Sequence, residues 1–205
     1  MQVDFGQADF RIVGVRTRMH DLACAFPFSN VGLAQVFCGE TAECVCEGHM
    51  AVFEHIRGVP RKISFDNATG AGKKICGATS ASRLFSAFAA HYGFSCAFCN
   101  PNAGHEKGSV ESKAGAIRRS LLVPIPQLGN VRRHNRRLLG TSMGHSGKAH
   151  YRKGESRLSL LEEDRFALSP LPDSRSSAVT SGNGSTMRTR PGAARPCACC
   201  ATSQA

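Results

Sequence analysis

Apolar and polar residues alternate through the first thirty positions with the two-residue period of a half-buried strand. Gln2–Phe10 and Arg11–His20 read as two strands joined by a tight turn, and Asp21–Asn30 continues as a third, which predicts an antiparallel meander. The period then changes. Thr41 is placed to cap a helix over Ala42–Ile56, where Cys44, Val45, Met50, Val52, Phe53 and Ile56 fall near helical spacing and Gly58 supplies a stop. Arg61–Asp66 is a short apolar strand. Ser80–Tyr92 carries Leu84, Phe85, Phe88 and Tyr92 on one helical side and closes at Gly93, and Phe94–Cys99 predicts a fifth strand. After the turn-rich Asn100–Gly104, His105–Leu122 reads as a helix. The order βββαβαβα predicts an α/β fold with a mixed five-stranded sheet flanked by helices.

Beyond Pro124-Ile125-Pro126 the pattern predicts a short helix over Val131–Leu139, a basic loop over His145–Lys153 and a last helix over Leu158–Leu168. From Asp173 onward Ser, Thr, Ala, Gly, Arg and Pro dominate, and Leu, Ile, Phe and Tyr are absent. Such a segment buries too little apolar surface to offset its conformational entropy and is expected to be disordered. The chain therefore divides into a core over 1–123, a basic helical extension over 124–172 and a tail over 173–205.

Charge sharpens this picture. The net charge of +11 is uneven: residues 1–112 carry 10 Lys/Arg and 10 Asp/Glu, residues 113–157 carry 11 against one Glu, and residues 158–205 carry 5 against 4. A basic block of that density suits a phosphate backbone, although a solvated helix face has the same composition. No apolar run approaches the roughly 18 residues of a membrane span, and no basic-then-apolar signal peptide opens the chain. With no secretory signal, the ten cysteines read as reduced thiols of a cytoplasmic protein.

Three acidic residues stand in distinctive phrases: Asp4 in Gln2-Val3-Asp4-Phe5-Gly6, Asp66 in Ile63-Ser64-Phe65-Asp66-Asn67 and Glu111 in Lys107-Gly108-Ser109-Val110-Glu111-Ser112. Two lie in strand-like runs and the third in a helix-like stretch. Carboxylates brought together from such elements hold hard divalent cations, which take oxygen ligands and keep positions open for substrate phosphate. The bland reading leaves two acids on strands and one solvated on a helix.

These phrases, together with Phe26-Pro27-Phe28-Ser29-Asn30, Gly39-Glu40-Thr41-Ala42-Glu43, Phe65-Asp66-Asn67-Ala68-Thr69, His91-Tyr92-Gly93-Phe94 and Gly104-His105-Glu106-Lys107-Gly108, resemble in order the catalytic core of IstA-type insertion-sequence transposases. That core belongs to the ribonuclease H-like DDE group shared with retroviral integrases. The resemblance runs from about Gln2 to Pro172 and is weaker near 73–82 and 140–147. It implies a ribonuclease H-like fold in which Asp4, Asp66 and Glu111 bind two Mg²⁺ or Mn²⁺ ions, Asp4 bridging both. It also implies DNA cleavage and strand transfer by direct attack, a homo-multimer on paired DNA ends and a helper ATPase. Lys107, Lys113, Arg118, Arg119, Arg132 and Arg133 are the candidate DNA contacts, while Asn67, His105 and Glu106 flank the site. The family carries a DNA-binding region before the core and a small β-rich domain after it, so this chain is expected to be a fragment truncated at both ends, inactive if the truncation disrupts the core.

Four other motifs fail. Asp4-Phe5-Gly6 matches a kinase metal triplet without a nucleotide lobe before it. Asn67–Lys74 imitates a phosphate loop but has Asn for the first Gly and Lys where Ser or Thr should be. Cys96-Ala97-Phe98-Cys99 lacks a nearby second pair, and Cys197, Cys199 and Cys200 have no zinc spacing. Two alternatives stay open: a non-catalytic nucleic-acid-binding remnant using the basic 113–157 block, and a metal-dependent nuclease of the same fold that cleaves without joining ends.

Overall fold

The computed structural model describes residues 1–39, 41–65, 80–98 and 114–176. Three long strands form an antiparallel meander: β1 (Gln2–Ile12), β2 (Val15–Phe26) and β3 (Val31–Phe37). Two short strands, β4 (Lys62–Phe65) and β5 (Ser95–Phe98), extend the sheet parallel to β1, giving the order β3-β2-β1-β4-β5. A sixth pairing, β6 (Gln127–Leu128), runs parallel beside Arg11 and Ile12 at the far end of β1. The helices are α1 (Ala42–Ile56), α2 (Ser80–Tyr92), α3 (114–121), α4 (Val131–His145) and α5 (Arg157–Phe166).

The meander departs from its predicted breaks. The first turn is Val13-Gly14, both at positive φ (50° and 80°), the geometry that a two-residue hairpin loop demands. The second strand then continues unbroken through His20-Asp21, where the sequence predicts a new one, and ends at Phe26. Neither His20 nor Asp21 turns the chain, because Pro27-Phe28-Ser29-Asn30 does, with Asn30 at φ 58° and its N–H on Phe26 O at 2.8 Å. The true third strand is the apolar run Val31–Phe37.

Each face of the meander has its own chemistry. Val3, Leu22, Cys24, Phe26, Val31 and Leu33 point one way and pack under α1 and α2 in the main core, against Val45, Phe53, Ile56, Phe85 and Phe88. Asp4, Ala23 and Ala34 form a row across the other face, as do Gln2, Ala25 and Gly32. Those rows have almost no side-chain bulk. Ala114 and Ile117 of α3 settle on Ala23, Ala25 and Ala34, so closely that a Cβ on Gly32 would lie 2.5 Å from Ile117 Cδ1.

Thr41 caps α1 as expected, its hydroxyl accepting from the Cys44 N–H; the helix closes on Arg57 in the left-handed region, one residue before the predicted Gly58. The last helices join the body directly. α4 runs six residues past its predicted end at Leu139, because Leu138, Leu139 and Ser142 are buried and the hydroxyls of Ser142 and Ser146 bond carbonyls one turn back. Gly140 and Gly144 look like breakers in the sequence but face outward. Asn135 of α4 clips the edge strand: its Oδ1 accepts from Val36 N–H at 2.9 Å and its Nδ2 donates to Val36 O at 2.9 Å. Leu161 of α5 enters the main core, and Val59 and Ser169 exchange two backbone hydrogen bonds. Residues 173–176, the first four of the stretch expected to be unstructured, lie on the body: Arg175 pairs with Glu54 at 2.8 Å and Ser176 is buried. Residues 177–205 lie outside the described residues.

His49 is a buried histidine among the aromatic residues of the main core. It is fully buried among Phe53, Phe65, Phe85, Phe88 and Phe94, with ring centroids 5.8–6.5 Å away. Nδ1 donates to Val45 O at 2.8 Å while Nε2 is buried with no partner among the described residues, so none of them offers an acceptor for a second proton. Burial lowers its pKa to about 4. Because the folded value lies below the unfolded one, the group's stabilising effect is present above about pH 6.5 and is lost as pH falls toward 4. We expect a loss of roughly 3 kcal/mol over that window, and His49→Leu should flatten that part of the stability profile in urea unfolding.

Candidate active site

Asp4 lies on β1, which pairs in parallel with β4 at this end. Val3 pairs with Phe65, so the residues immediately preceding Asp4 and Asp66 face each other across the β1–β4 ladder. Asp66 itself, Asn67, His105, Glu106, Lys107, Glu111 and Lys113 lie outside the described residues. The described part of α3 starts at 114, three positions after Glu111 in the sequence.

The side chain of Asp4 is about 10% exposed and does not face open solvent. Arg118 from α3 reaches down between β1 and β2: Nη2 donates to Asp4 Oδ2 at 2.8 Å, and Nε donates to Asp21 Oδ2 at 2.8 Å. Asp21 is buried, with side-chain exposure of 1%, and its Oδ1 has no hydrogen-bond partner among the described residues. The register explains the meeting. Gly6 pairs with Asp21 and Asp4 with Ala23, which puts the two acids on the same face in adjacent rows, with Gly6 between them. The guanidinium lies over that glycine. A Cβ on Gly6 would stand 2.2 Å from Arg118 Nη2 and 2.4 Å from Cζ, so only glycine leaves the lane open.

Burial pushes the Asp21 carboxyl above the ordinary carboxylate range, and the Arg118 charge and hydrogen bond pull it part of the way back. Burial also acts to lower Arg118, but the Asp21 and Asp4 carboxylates outweigh it and hold the guanidinium above its ordinary value. The three groups form one charge-sharing unit of two acids and one base.

Among the expected DNA contacts, Arg118 is therefore turned inward onto Asp4 and Asp21, whereas Arg119, the next residue of α3, is exposed. Arg132 and Arg133 are exposed in the first turn of α4, which has no acidic residue there and is capped by Asn130. Asp21 and Gly6 had no role in the sequence reading. The signal was present: an acid inside an alternating apolar strand, two positions from the alanine that faces Asp4.

The donor chemistry at Asp4 fits a hard divalent cation, since a carboxylate oxygen on a rigid strand is the ligand such ions take. Among the described residues no group of three or more His, Cys, Asp or Glu side chains is placed to hold a metal, so Asp4 is the described member of the expected trio. Burial pushes the thiols of Cys24 and Cys46 up to about 12, so they stay protonated near neutral pH. No helix among the described residues is long and apolar enough to cross a membrane.

Comparison with known proteins agrees with this layout. No family model matches the chain. A transposase of Aminobacter aminovorans is 28% identical over 133 residues, which is 63% of this chain and 26% of that protein. The transposase for insertion sequences IS1326/IS1353 of Pseudomonas aeruginosa is 25% identical over 136 residues, with the same coverage of 63% and 26%. The chain thus spans about a quarter of the length of these relatives. In fold it is similar to the catalytic core domain of BIV integrase (TM-score 0.53, 14% identity, 80% of this chain and 95% of that one). It is also similar to the HTLV-2 integrase catalytic core solved with magnesium in trimeric form (TM-score 0.50, 15% identity, 78% and 94%). The fold is the ribonuclease H-like one of these integrase catalytic cores, and over the matched residues the sequence is similar to transposases.

Replacing Arg118 tests the charge-sharing unit. Arg118→Met leaves Asp21 buried without its counter-charge, which should cost about 3 kcal/mol near neutral pH. Asp21 already has a raised folded pKa, so its contribution weakens as pH rises above the unfolded value. Losing Arg118 raises it further and extends that window upward. In urea unfolding, the deficit relative to the parent should be smaller near pH 4.5 than near pH 7.5; an equal deficit would show that Asp21 does not carry the effect.

Proposed function

We propose that this chain is the catalytic core of an IstA-type DDE transposase, acting on DNA by cleavage and strand transfer. The observation that carries the reading is the Val3↔Phe65 register, which sets the strand bearing Asp4 alongside the strand leading into Asp66. A second supports it: Arg118, seven residues after Glu111, is on Asp4. The sequence predicts one helix over His105–Leu122, and residues seven apart on a helix share a face, which is the reason Glu111 is assigned to the side of Arg118.

In this reading Asp4, Asp66 and Glu111 hold divalent cations, in keeping with the magnesium bound by the HTLV-2 integrase core. Ions at these acids supply activation of a water or DNA 3′-hydroxyl and neutralise charge at the leaving oxygen. The chain's own work is positioning. Strand β1 holds Asp4 rigid, packed from below by the aromatic core and from above by α3. Phosphoryl transfer of this kind needs such geometry more than a tuned acid or base, and no histidine is assigned a proton-transfer role.

The DNA backbone is assigned to Arg119, Arg132 and Arg133, with Lys107 and Lys113, which are close to Glu111 in the sequence. Arg132 and Arg133 occupy the first turn of α4, where the helix dipole disfavours cations. Helix stability does not ask for them there, whereas a phosphate backbone does. A multimer on paired DNA ends and a helper ATPase complete the proposal by the chain's resemblance to its family.

The test combines metal and DNA. About 10 mM Mn²⁺ acting on a site of roughly 1 mM affinity should add about 1.4 kcal/mol of stability to the parent, a rise of some 2–4 °C, and none to Asp4→Asn. Strand transfer into supercoiled DNA should vanish in Asp4→Asn. Arg132→Ala with Arg133→Ala should reduce the salt dependence of DNA binding by about two counterions. DNA binding that depends on salt but is indifferent to Asp4 and to metal would sink the catalytic reading and leave a binding module.

A further inference from the structure

We infer that the cavity between α3, α4 and α5 receives one sugar–phosphate unit of a DNA strand, with Lys148 and Arg157 on the phosphate and an apolar floor under the sugar. The inference rests on the proposed action on DNA and needs no metal at Asp4.

The cavity follows from the bare strip of the sheet. Ala25 and Gly32, whose lack of bulk admits α3, also line a cavity of about 220 Å³ beside that helix, bounded as well by the end of α4 and the start of α5. Val31, Ile117 and Leu121 supply its apolar part. Its basic residues are His145, Lys148 and Arg157, and none of the described lining residues is acidic. Ordinary small-molecule sites run from roughly 300 Å³ upward, so this one suits a piece of a longer ligand.

The two cations are fixed in place and unanswered. Arg157 N–H donates to Lys148 O and Leu158 N–H to Ser146 O, both at 3.1 Å, which ties the segment bearing Lys148 to the helix bearing Arg157. Those bonds, with Ser159 N–H on Ser156 Oγ, occupy the first amides of α5, so an anion here is met by side chains and not by the helix end. The lining hydroxyls of Ser120, Ser142 and Ser146 each already donate to a carbonyl three or four residues back. Arg157 Nε, in contrast, is buried with no hydrogen-bond partner among the described residues. The ion pairs formed among those residues include neither Arg157 nor Lys148. A buried donor left open works against the fold, and a phosphate oxygen answers it.

Position favours a DNA strand as the source of that phosphate. Gly32 pairs with Ala25 and Ala25 with Gln2, in the row next to Asp4, Ala23 and Ala34 and on the same face. One or two strand spacings and two residues of rise put the floor roughly 10 Å from Asp4. α3 serves both places: Arg118 reaches Asp4 while Ile117 and Leu121 line the cavity, and Arg119 on the same helix is exposed. A strand crossing Asp4 meets the cavity with a neighbouring unit. Each unit of a DNA backbone joins a weakly polar ring to an anion, the pairing that floor and cations offer.

A labelled single-stranded oligonucleotide of about 16 residues, followed by fluorescence anisotropy on the full chain across a salt series, tests this. Lys148→Gln with Arg157→Gln should weaken binding about tenfold near 0.1 M salt and flatten the salt slope by about 0.7, the share of one phosphate on a single strand. The same variant should keep the parent's stability in urea, because Arg157 Nε has no bond to lose; clear destabilisation would assign Arg157 to the fold and overturn the inference. Ala116→Leu adds an apolar group to the lining from an exposed helical position and removes no charge. It should weaken binding by a similar factor, whereas a basic surface without a pocket is indifferent to it. Arg83→Gln, an exposed position on α2 across the sheet, should match the parent. An abasic deoxyribose–phosphate oligomer should displace the probe at far lower concentration than polyglutamate of equal charge. Equal displacement would make this a site for acidic protein segments and overturn the inference. A parent that binds no DNA takes the DNA reading down with it; a parent that binds, with Ala116→Leu and the double variant binding alike, sinks the pocket alone.

Discussion

The structure depends on how closely α3 can approach the sheet. Ala23, Ala25, Gly32 and Ala34 leave a strip with almost no side-chain bulk, and Ile117 sits where a single added methyl on Gly32 would collide. Close packing has no tolerance for a volume change of that size. The approach brings the helix low enough for a guanidinium on its next residue to reach strand β1. The same sheet carries a bulky aromatic layer on its opposite face. One face thus supplies cohesion and the other supplies access, and β1 and β2 serve both through the simple alternation of their side chains.

An ion network half out of water is a poor way to stabilise a fold. Two acids and one base leave a net negative charge, one of the acids is fully buried, and one of its oxygens has no partner among the described residues. Apolar residues of similar volume would hold α3 to the sheet at least as well. Residues that work against stability mark the places where a protein does something other than fold. The arginines opening α4 and the half-satisfied Asp21 belong to that class. His49 does not, since its one hydrogen bond stays within its own helix and its aromatic cage is a core site.

Much of this was legible in the chain. The helices over Ala42–Ile56 and Ser80–Tyr92 follow their periodicity to the residue, because each has a wide apolar face and a clear signal at one end. The ordered phrases around Asp4, Asp66 and Glu111 pointed to the integrase-type core. The meander was harder. The turn at Val13-Gly14 contains a β-branched residue at positive φ, which local preference argues against, and the polar run from Arg16 to Asp21 imitated a break. The reach of α4 was hidden by glycines whose neighbours are buried. The inward turn of Arg118 was invisible for another reason. In a basic stretch every arginine looks alike, and only the register that sets Gly6 opposite Asp21 singles out the one whose charge is already answered.

The Asn135 clip has a consequence of another kind. β3 is an outer strand of the sheet, and such strands invite a further strand from another molecule. Here a carboxamide from α4 meets both the donor and the acceptor of Val36, standing in for the backbone of a neighbour that is not there. A strand from a second copy cannot zip along this border without evicting that amide. A second copy approaching along β3 therefore meets side chains rather than an open strand edge.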